Sequence, residues 1–237
     1  MRLAVKGEDL PLWVVADRQT AGRGRAGRTW TSPIGNLYAS VAFLCAAPIE
    51  KGGQLSLVAG ISAIDAIKAT VDLAPDALLR LKWPNDIFVG LAKLGGILVE
   101  STTARGSPGF LTVLGFGLNI LTAPVDLDRS ATALARLSPA PPPQPADLVA
   151  ALDRSLRRWL GVWAEGDGFA QIREAWMARA GVIGEPITVN TIDGPVSGVY
   201  RGLSESGALL AEVDGALREI SHGDVALQAP SARDGSA

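Results

Sequence analysis

Between Arg18 and Ile49 the chain has no aspartate or glutamate, yet Arg18, Arg23, Arg25 and Arg28 all fall in that stretch. In a protein whose formal net charge is −2, positive charge is gathered on one segment. The run Gly22-Arg-Gly-Arg-Ala-Gly-Arg28 alternates glycine, which lets backbone approach a ligand and adopt positive φ, with arginine, whose planar fork grips phosphate or carboxylate oxygens in pairs. Such a loop suits the phosphates of a nucleotide such as ATP. Segments that bind RNA share the composition, so the run alone leaves two readings open. Trp30 beside it is either a ring that stacks on a base or a plug that fixes the loop to the core.

Two further clusters set polar groups inside apolar runs. Lys82-Trp-Pro-Asn-Asp86 leads through a hairpin to Lys93-Leu-Gly-Gly-Ile-Leu-Val-Glu100, so two lysines and the Asn85-Asp86 pair lie on adjacent strands where they can converge. A lysine in such apolar surroundings must find partners, because an unpaired buried ammonium is strongly disfavoured or gives up its proton. Lys93 is therefore a candidate for chemistry, while Lys82 fits a functional position and an exposed face equally well. Gly95 and Gly96 indicate close approach of backbone to something else. Gly115-Phe-Gly-Leu-Asn119, at the end of a strand, is a weaker signal of the same kind and lacks the helix and third glycine of a dinucleotide fingerprint.

These residues need a frame. With 237 residues, 48% hydrophobic and 19% charged, the chain can bury one substantial core and a smaller second one. The net charge excludes non-specific nucleic-acid binding by the surface at large, which requires a basic footprint. Cys45, the only cysteine, lies in an apolar run and reads as a small buried hydrophobe. It allows neither a disulfide framework nor a thiolate metal cluster, no metal site is expected, and a reducing cytoplasm fits best. No signal peptide is visible, and no apolar run reaches the roughly 20 residues of a membrane span.

Apolar runs predict strands over 12–16, 37–44, 79–83, 87–89, 97–99 and 110–114. Leu57, Val58, Ile61, Ile64, Ile67 and Val71 predict a helix over 54–73 packed on a sheet. The short connections among the later strands make them antiparallel neighbours. A proline-rich connector over 139–145 gives way to a helix capped by Asp147 and running to Trp163, and a further helix follows near 171–180. From Gly184 the period changes to two. Five short strands, separated by Asp193-Gly194, Ser206-Gly207, Asp214-Gly215 and His222-Gly223, predict a small β-barrel independent of the helices before it, with His222 as a turn residue. The expected division is a catalytic domain over 1–182, a C-terminal barrel over 183–229 and a flexible tail over 230–237.

In their order and spacing, the Gly22 to Arg28 loop, Lys82 to Asp86, Lys93 to Glu100 and Gly115 to Asn119 resemble the signature set of biotin protein ligases, in the form without an N-terminal DNA-binding domain. The resemblance covers nearly the whole chain. It implies an α+β fold: a catalytic domain like that of class II aminoacyl-tRNA synthetases, with a mixed, largely antiparallel sheet and flanking helices, plus a C-terminal β-barrel of the Src-homology type. It also implies formation of biotinyl-5′-AMP from biotin and ATP with Mg2+, then transfer of biotin to a lysine of the biotin carboxyl carrier protein or domain of a carboxylase. DNA and membranes are not expected as partners, and a homodimer is left open. By the same resemblance, Lys93, Arg25 and Asp86 are catalytic, with Asp86 near the incoming lysine amine. Gln19, Arg23, Gly24, Arg25, Lys93, Gly96, Leu98, Gly115 and Gly117 would bind biotin, and Arg25, Arg28, Trp30, Lys82, Asn85 and Asn119 would bind ATP.

The chain departs from the family in one respect. No Ser-Thr-Asn biotin-contacting segment precedes Gln19, and residues 1–8 resemble the end of the helix that carries it, so a truncated or misassigned start is expected. Rival readings are a lipoate or octanoate ligase on the same scaffold, a silent biotin sensor and an arginine-loop nucleic-acid binder. The arginine loop followed by Lys82-Trp-Pro-Asn-Asp86 favours biotin, Lys93 and Asp86 speak against silence, and the net charge speaks against nucleic acid.

Overall fold

A computed structural model of the chain describes residues 8–103, 109–124 and 130–227. The tail over 230–237 and all but Glu8 of the helix remnant expected at the start lie outside those residues. Six strands, β1 (Leu12–Ala16), β2 (Leu37–Cys45), β3 (Leu79–Lys82), β4 (Asp86–Val89), β5 (Ala92–Thr103) and β6 (Phe110–Leu118), form one sheet in the order β1-β2-β6-β5-β4-β3. Every ladder in it is antiparallel. The parallel component of the expected mixed sheet is confined to one isolated bridge, Lys93 to Ala131.

β5 and β6 extend well beyond their apolar runs. The ladder carries polar residues across the middle of the sheet by pairing them, as where the Ser101 and Thr112 hydroxyls meet at 3.0 Å. Helix α1 (Leu55–Thr70) is buried along nearly its whole length because it lies between this sheet and α2 (Pro145–Trp163). Its one acidic residue, Asp65, is not stray: it accepts hydrogen bonds from Arg158, from Trp159 Nε1 at 2.8 Å and from Arg179 Nη2 at 2.9 Å, clamping α1 to α2 and to the end of α3 (Phe169–Met177). α1 is shorter than its apolar pattern, with a 3-10 turn over Ile49–Gln54 before it and an extended Val71 after it. α2 begins two residues before the expected cap. Pro145 takes the first helical position, where its missing N–H costs nothing, and Asp147 sits in the first turn, where a carboxylate favours the helix dipole.

The C-terminal strands β7 (Pro186–Thr191), β8 (Gly194–Leu203), β9 (Leu209–Val213), β10 (Ala216–Ile220) and β11 (Asp224–Leu227) form a second antiparallel sheet, in the order β10-β9-β8-β7-β11. Among the described residues β10 and β11 are its two edges, with no ladder joining them. Asp214 and Gly215, at φ 54° and 77°, make the two-residue turn between β9 and β10, as the Asp-Gly pair predicts.

This unit is joined to the first by direct contacts. Its hydrophobic interior is continuous with that of the first sheet, Arg80 holds both oxygens of Glu185 at 3.0 and 3.1 Å, and Trp83 Nε1 donates to Gly207 O. Periodicity reports which face of a strand is buried; it is silent on polar atoms that bond across from one unit to the next. No helix among the described residues is long and apolar enough to cross a membrane.

Candidate active site

Strand alternation gives the first sheet two unlike faces. Ala39, Val41, Ile97, Leu114 and Phe116 belong to the core with α1 and α2. Their neighbours Ser40, Ala42, Gly96, Leu98, Val113, Gly115 and Gly117 line a cavity of about 630 Å³ on the sheet's other face. The register sets Ser40 opposite Gly115, Gly115 opposite Leu98, and Gly96 opposite Gly117, so that, Leu98 apart, small residues meet side by side and leave a hollow. At Gly117 the space is already used: a Cβ there would lie 2.6 Å from the Trp30 ring.

The arginine loop covers this floor. It folds back as a hairpin, with Arg23 bridged to Thr29, Gly24 N donating to Arg28 O at 2.7 Å and Trp30 N to Gly22 O at 2.9 Å. Its tip, Ala26 and Gly27, has φ of 52° and 71°, the left-handed pair that a two-residue turn demands. Arg25 reaches inward and donates to Asn85 Oδ1 and to Gly223 O, both at 3.1 Å. Burial lowers its pKa, while Asp224 and Asp86 act to raise it. Arg28 pairs with Asp224 at 2.8 Å, and Arg23 with Glu100 at 3.6 Å.

Under the loop, Lys93 Nζ lies 2.6 Å from Asp86 Oδ1 and 5.5 Å from the Trp30 ring centroid. The other Asp86 oxygen meets Lys82 Nζ at 3.2 Å. Lys82 is not exposed, which corrects one of the two readings of it, and it lies behind the residues that line the cavity. Its side chain is 3% accessible, donates to Val225 O at 2.7 Å and lies 3.8 Å from Asp224. Burial pushes the Lys82 pKa down, and Asp86 and Asp224 oppose that shift. A buried cation is tolerable here because two carboxylates and a carbonyl surround it.

All the other expected site residues line this one cavity: Gln19, Arg23, Gly24, Arg25, Arg28, Trp30, Asn85, Asp86, Lys93, Gly96, Leu98, Gly115, Gly117 and Asn119. An apolar floor, three arginines and a lysine along one wall, and a carboxylate shared by two lysines can hold a largely apolar acid with its carboxylate against a nucleotide phosphate.

A profile of the Biotin/lipoate A/B protein ligase family matches residues 3–119, and a profile of the Biotin protein ligase C terminal domain matches residues 182–228. The biotin–[acetyl-CoA-carboxylase] ligase of Paracoccus denitrificans is 34% identical over 203 residues, 84% of this chain and 82% of that protein. The chain belongs to the biotin protein ligase family. The Mycobacterium tuberculosis enzyme of the same name is 34% identical over 226 residues, 94% of this chain and 81% of its own. Among solved structures, the biotin protein ligase from Aquifex aeolicus in complex with biotin and ATP has a TM-score of 0.79 at 27% identity, covering 96% of this chain and 93% of that one.

Sequence reasoning missed several residues of the site. Ser40 and Glu100 line the cavity but stood inside strand patterns, and only the register shows which face they take. The segment Gly223-Asp224-Val225 carried no signal beyond a turn, yet it meets Arg25, Arg28 and Lys82. Asn36, which holds Asn119 through a hydrogen bond, was also unmarked.

Proposed function

We infer that this chain adenylates biotin with ATP to give biotinyl-5′-AMP and then transfers biotin to a lysine of the biotin carboxyl carrier domain of a carboxylase. The observation that carries the reading is the convergence of Arg25, Arg28 and Lys93 with Asp86 on one glycine-floored cavity, in a chain of this family. In the first step a biotin carboxylate oxygen attacks the α-phosphorus and pyrophosphate leaves. Two anions must approach and negative charge builds on phosphate oxygens, so fixed cations at Arg25 and Lys93 stabilise the transition state more than the ground state. Biotin lies over Gly96, Leu98, Gly115 and Gly117, bordered by Gln19, Arg23 and Gly24; the nucleotide lies toward Arg28, Trp30, Asn85 and Asn119. Lys82 acts from behind, by holding Asp86.

In the second step the neutral amine of the acceptor lysine attacks the acyl carbon, AMP leaves, and the amine loses a proton. Asp86 receives it more readily once Lys93 has left Asp86 for the phosphoryl oxygens, since a carboxylate paired with two ammonium groups is a weaker base than one paired with Lys82 alone. Magnesium would come with the nucleotide, bound chiefly through its phosphate oxygens, and would help to neutralise the charge on the phosphates. The reaction belongs in the cytoplasm, where the lone buried Cys45 stays reduced. No specific DNA partner is expected, and sedimentation velocity decides whether a homodimer forms.

The test is exchange of labelled pyrophosphate into ATP. Exchange should depend on biotin and fail with lipoate or octanoate in its place. Equal exchange with lipoate would move the chain to the other branch of the family.

A further inference from the structure

Asn36 lies outside the cavity wall, is 2% accessible, and spends its whole carboxamide on one neighbouring loop. Its Oδ1 accepts from the backbone N–H groups of Ile120, Leu121 and Thr122 at 2.9, 3.0 and 3.2 Å. Three converging donors leave no choice of orientation, because only the oxygen can face them. Nδ2 therefore points the other way, donating to Thr122 O at 2.8 Å and to Asn119 Oδ1 at 3.4 Å. Asn119 must then turn its own oxygen toward Asn36 and its nitrogen toward Thr132 O, 3.0 Å away. Gly35, where a Cβ would lie 2.4 Å from Leu121 Cδ1, lets the two loops come this close.

A carboxamide offers two N–H donors and two lone pairs. Among the described residues Asn119 uses one of each, so one N–H and one lone pair remain on a residue that lines the cavity. An amide edge that offers both to the cavity matches the adenine edge, which presents the N6 donor next to a ring-nitrogen acceptor. A base with an oxygen at position 6 presents an acceptor where adenine presents its donor. We propose that Asn36 is a positioning residue for nucleobase choice: it transmits the polarity of the 120–122 backbone to Asn119 and so makes the site accept a 6-amino purine and reject a 6-oxo purine. The inference rests on the proposed reading that Asn119 faces the nucleotide base.

Asn36→Asp keeps an acceptor for the three N–H groups but replaces the donor to Asn119 by a second acceptor, which favours the flipped amide. The measurement is biotin-dependent pyrophosphate exchange with ATP and with inosine triphosphate, for the parent and the variant. The parent should prefer ATP at least tenfold in kcat/KM, a good bidentate pair being worth about 1–3 kcal/mol of discrimination. In the variant this preference should shrink at least fivefold, through KM for ATP, with kcat for ATP within about threefold of the parent. A folded variant that keeps the parent's preference overturns the role of Asn36, and a parent indifferent to the two nucleotides overturns the polarity argument. Absence of any biotin-dependent exchange in the parent would instead remove the proposed function itself. Should Asn36→Asp not fold, NMR of the 15N-asparagine-labelled parent decides: slow exchange of the Asn36 amide protons with contacts to Thr122 and Asn119 supports the role, and exchange at the rate of exposed asparagines overturns it.

Discussion

At the residue scale the site is a set of charges whose partners the proposed reaction would reassign. Lys93 is bound to Asp86, so removing its ammonium takes one of two bridges from Asp86 and leaves Lys82 in place. Lys93→Gln should lower pyrophosphate exchange by about 10² to 10³, the usual loss for one preorganised donor, while circular dichroism still shows a folded chain. Near-normal exchange would remove Lys93 from the mechanism. Cys45 illustrates the opposite case, a titratable group with no chemistry to do. Burial, with Glu165 nearby, pushes its thiol up from 9.0 to about 12. The folded state therefore keeps a proton that the unfolded chain releases, so this contribution to stability is full below pH 9 and is lost as pH rises toward about 12. Urea midpoints measured at pH 8 and pH 10.5 should fall further for the parent than for Cys45→Ala, and parallel falls would show that the thiol is not protected.

At the scale of elements, the arginine loop is anchored through all three of its arginines, while its turn is exposed. Arg25 is tied to Asn85 and Gly223, while the turn at Ala26 and Gly27 buries nothing. Arg25→Gly should thus have two consequences that can be read separately. Bound adenylate should be lost at least tenfold faster, because the loop closes over ligand with one cation and one anchor fewer. Stability should fall by about 1–3 kcal/mol, the range for hydrogen bonds made by a charged group. A stopped-flow release assay and a urea titration give the two numbers, and unchanged release would contradict the role assigned to the loop. The anion-binding character of this loop was legible in its alternating glycine and arginine, although the choice between nucleotide and RNA needed the other motifs. Its attachment to the C-terminal sheet was not, because the acceptor at Gly223 is a backbone carbonyl, which every residue possesses.

For the whole molecule, the two sheets share one interior and one polar seam, in which Asp224 meets Arg28 at 2.8 Å and Lys82 at 3.8 Å. Calorimetry should show a single unfolding transition, with the two units melting together. Asp224→Asn, by leaving the buried Lys82 less compensated and releasing Arg28, should lower the melting temperature and speed tryptic cleavage in the arginine loop. Two separate transitions in the parent would restore the independent C-terminal unit expected from periodicity. The sequence by itself indicated the strands, the helices, the family and, Glu100 apart, the charged side chains that line the cavity. Those depend on local periods and on residue types with narrow uses, such as a buried lysine or paired glycines. Only tertiary structure decided that Lys82 is a support behind Asp86, that Asn36 orients Asn119, and that Gly223 to Val225 hold both the arginine loop and the lysine cluster. Lys82 and Asp86 are only four residues apart, but Lys82 is fixed there by Val225 and Asp224, and the other contacts likewise join segments far apart in the chain; neither composition nor spacing records which distant partner a backbone atom, an amide or a carboxylate will meet.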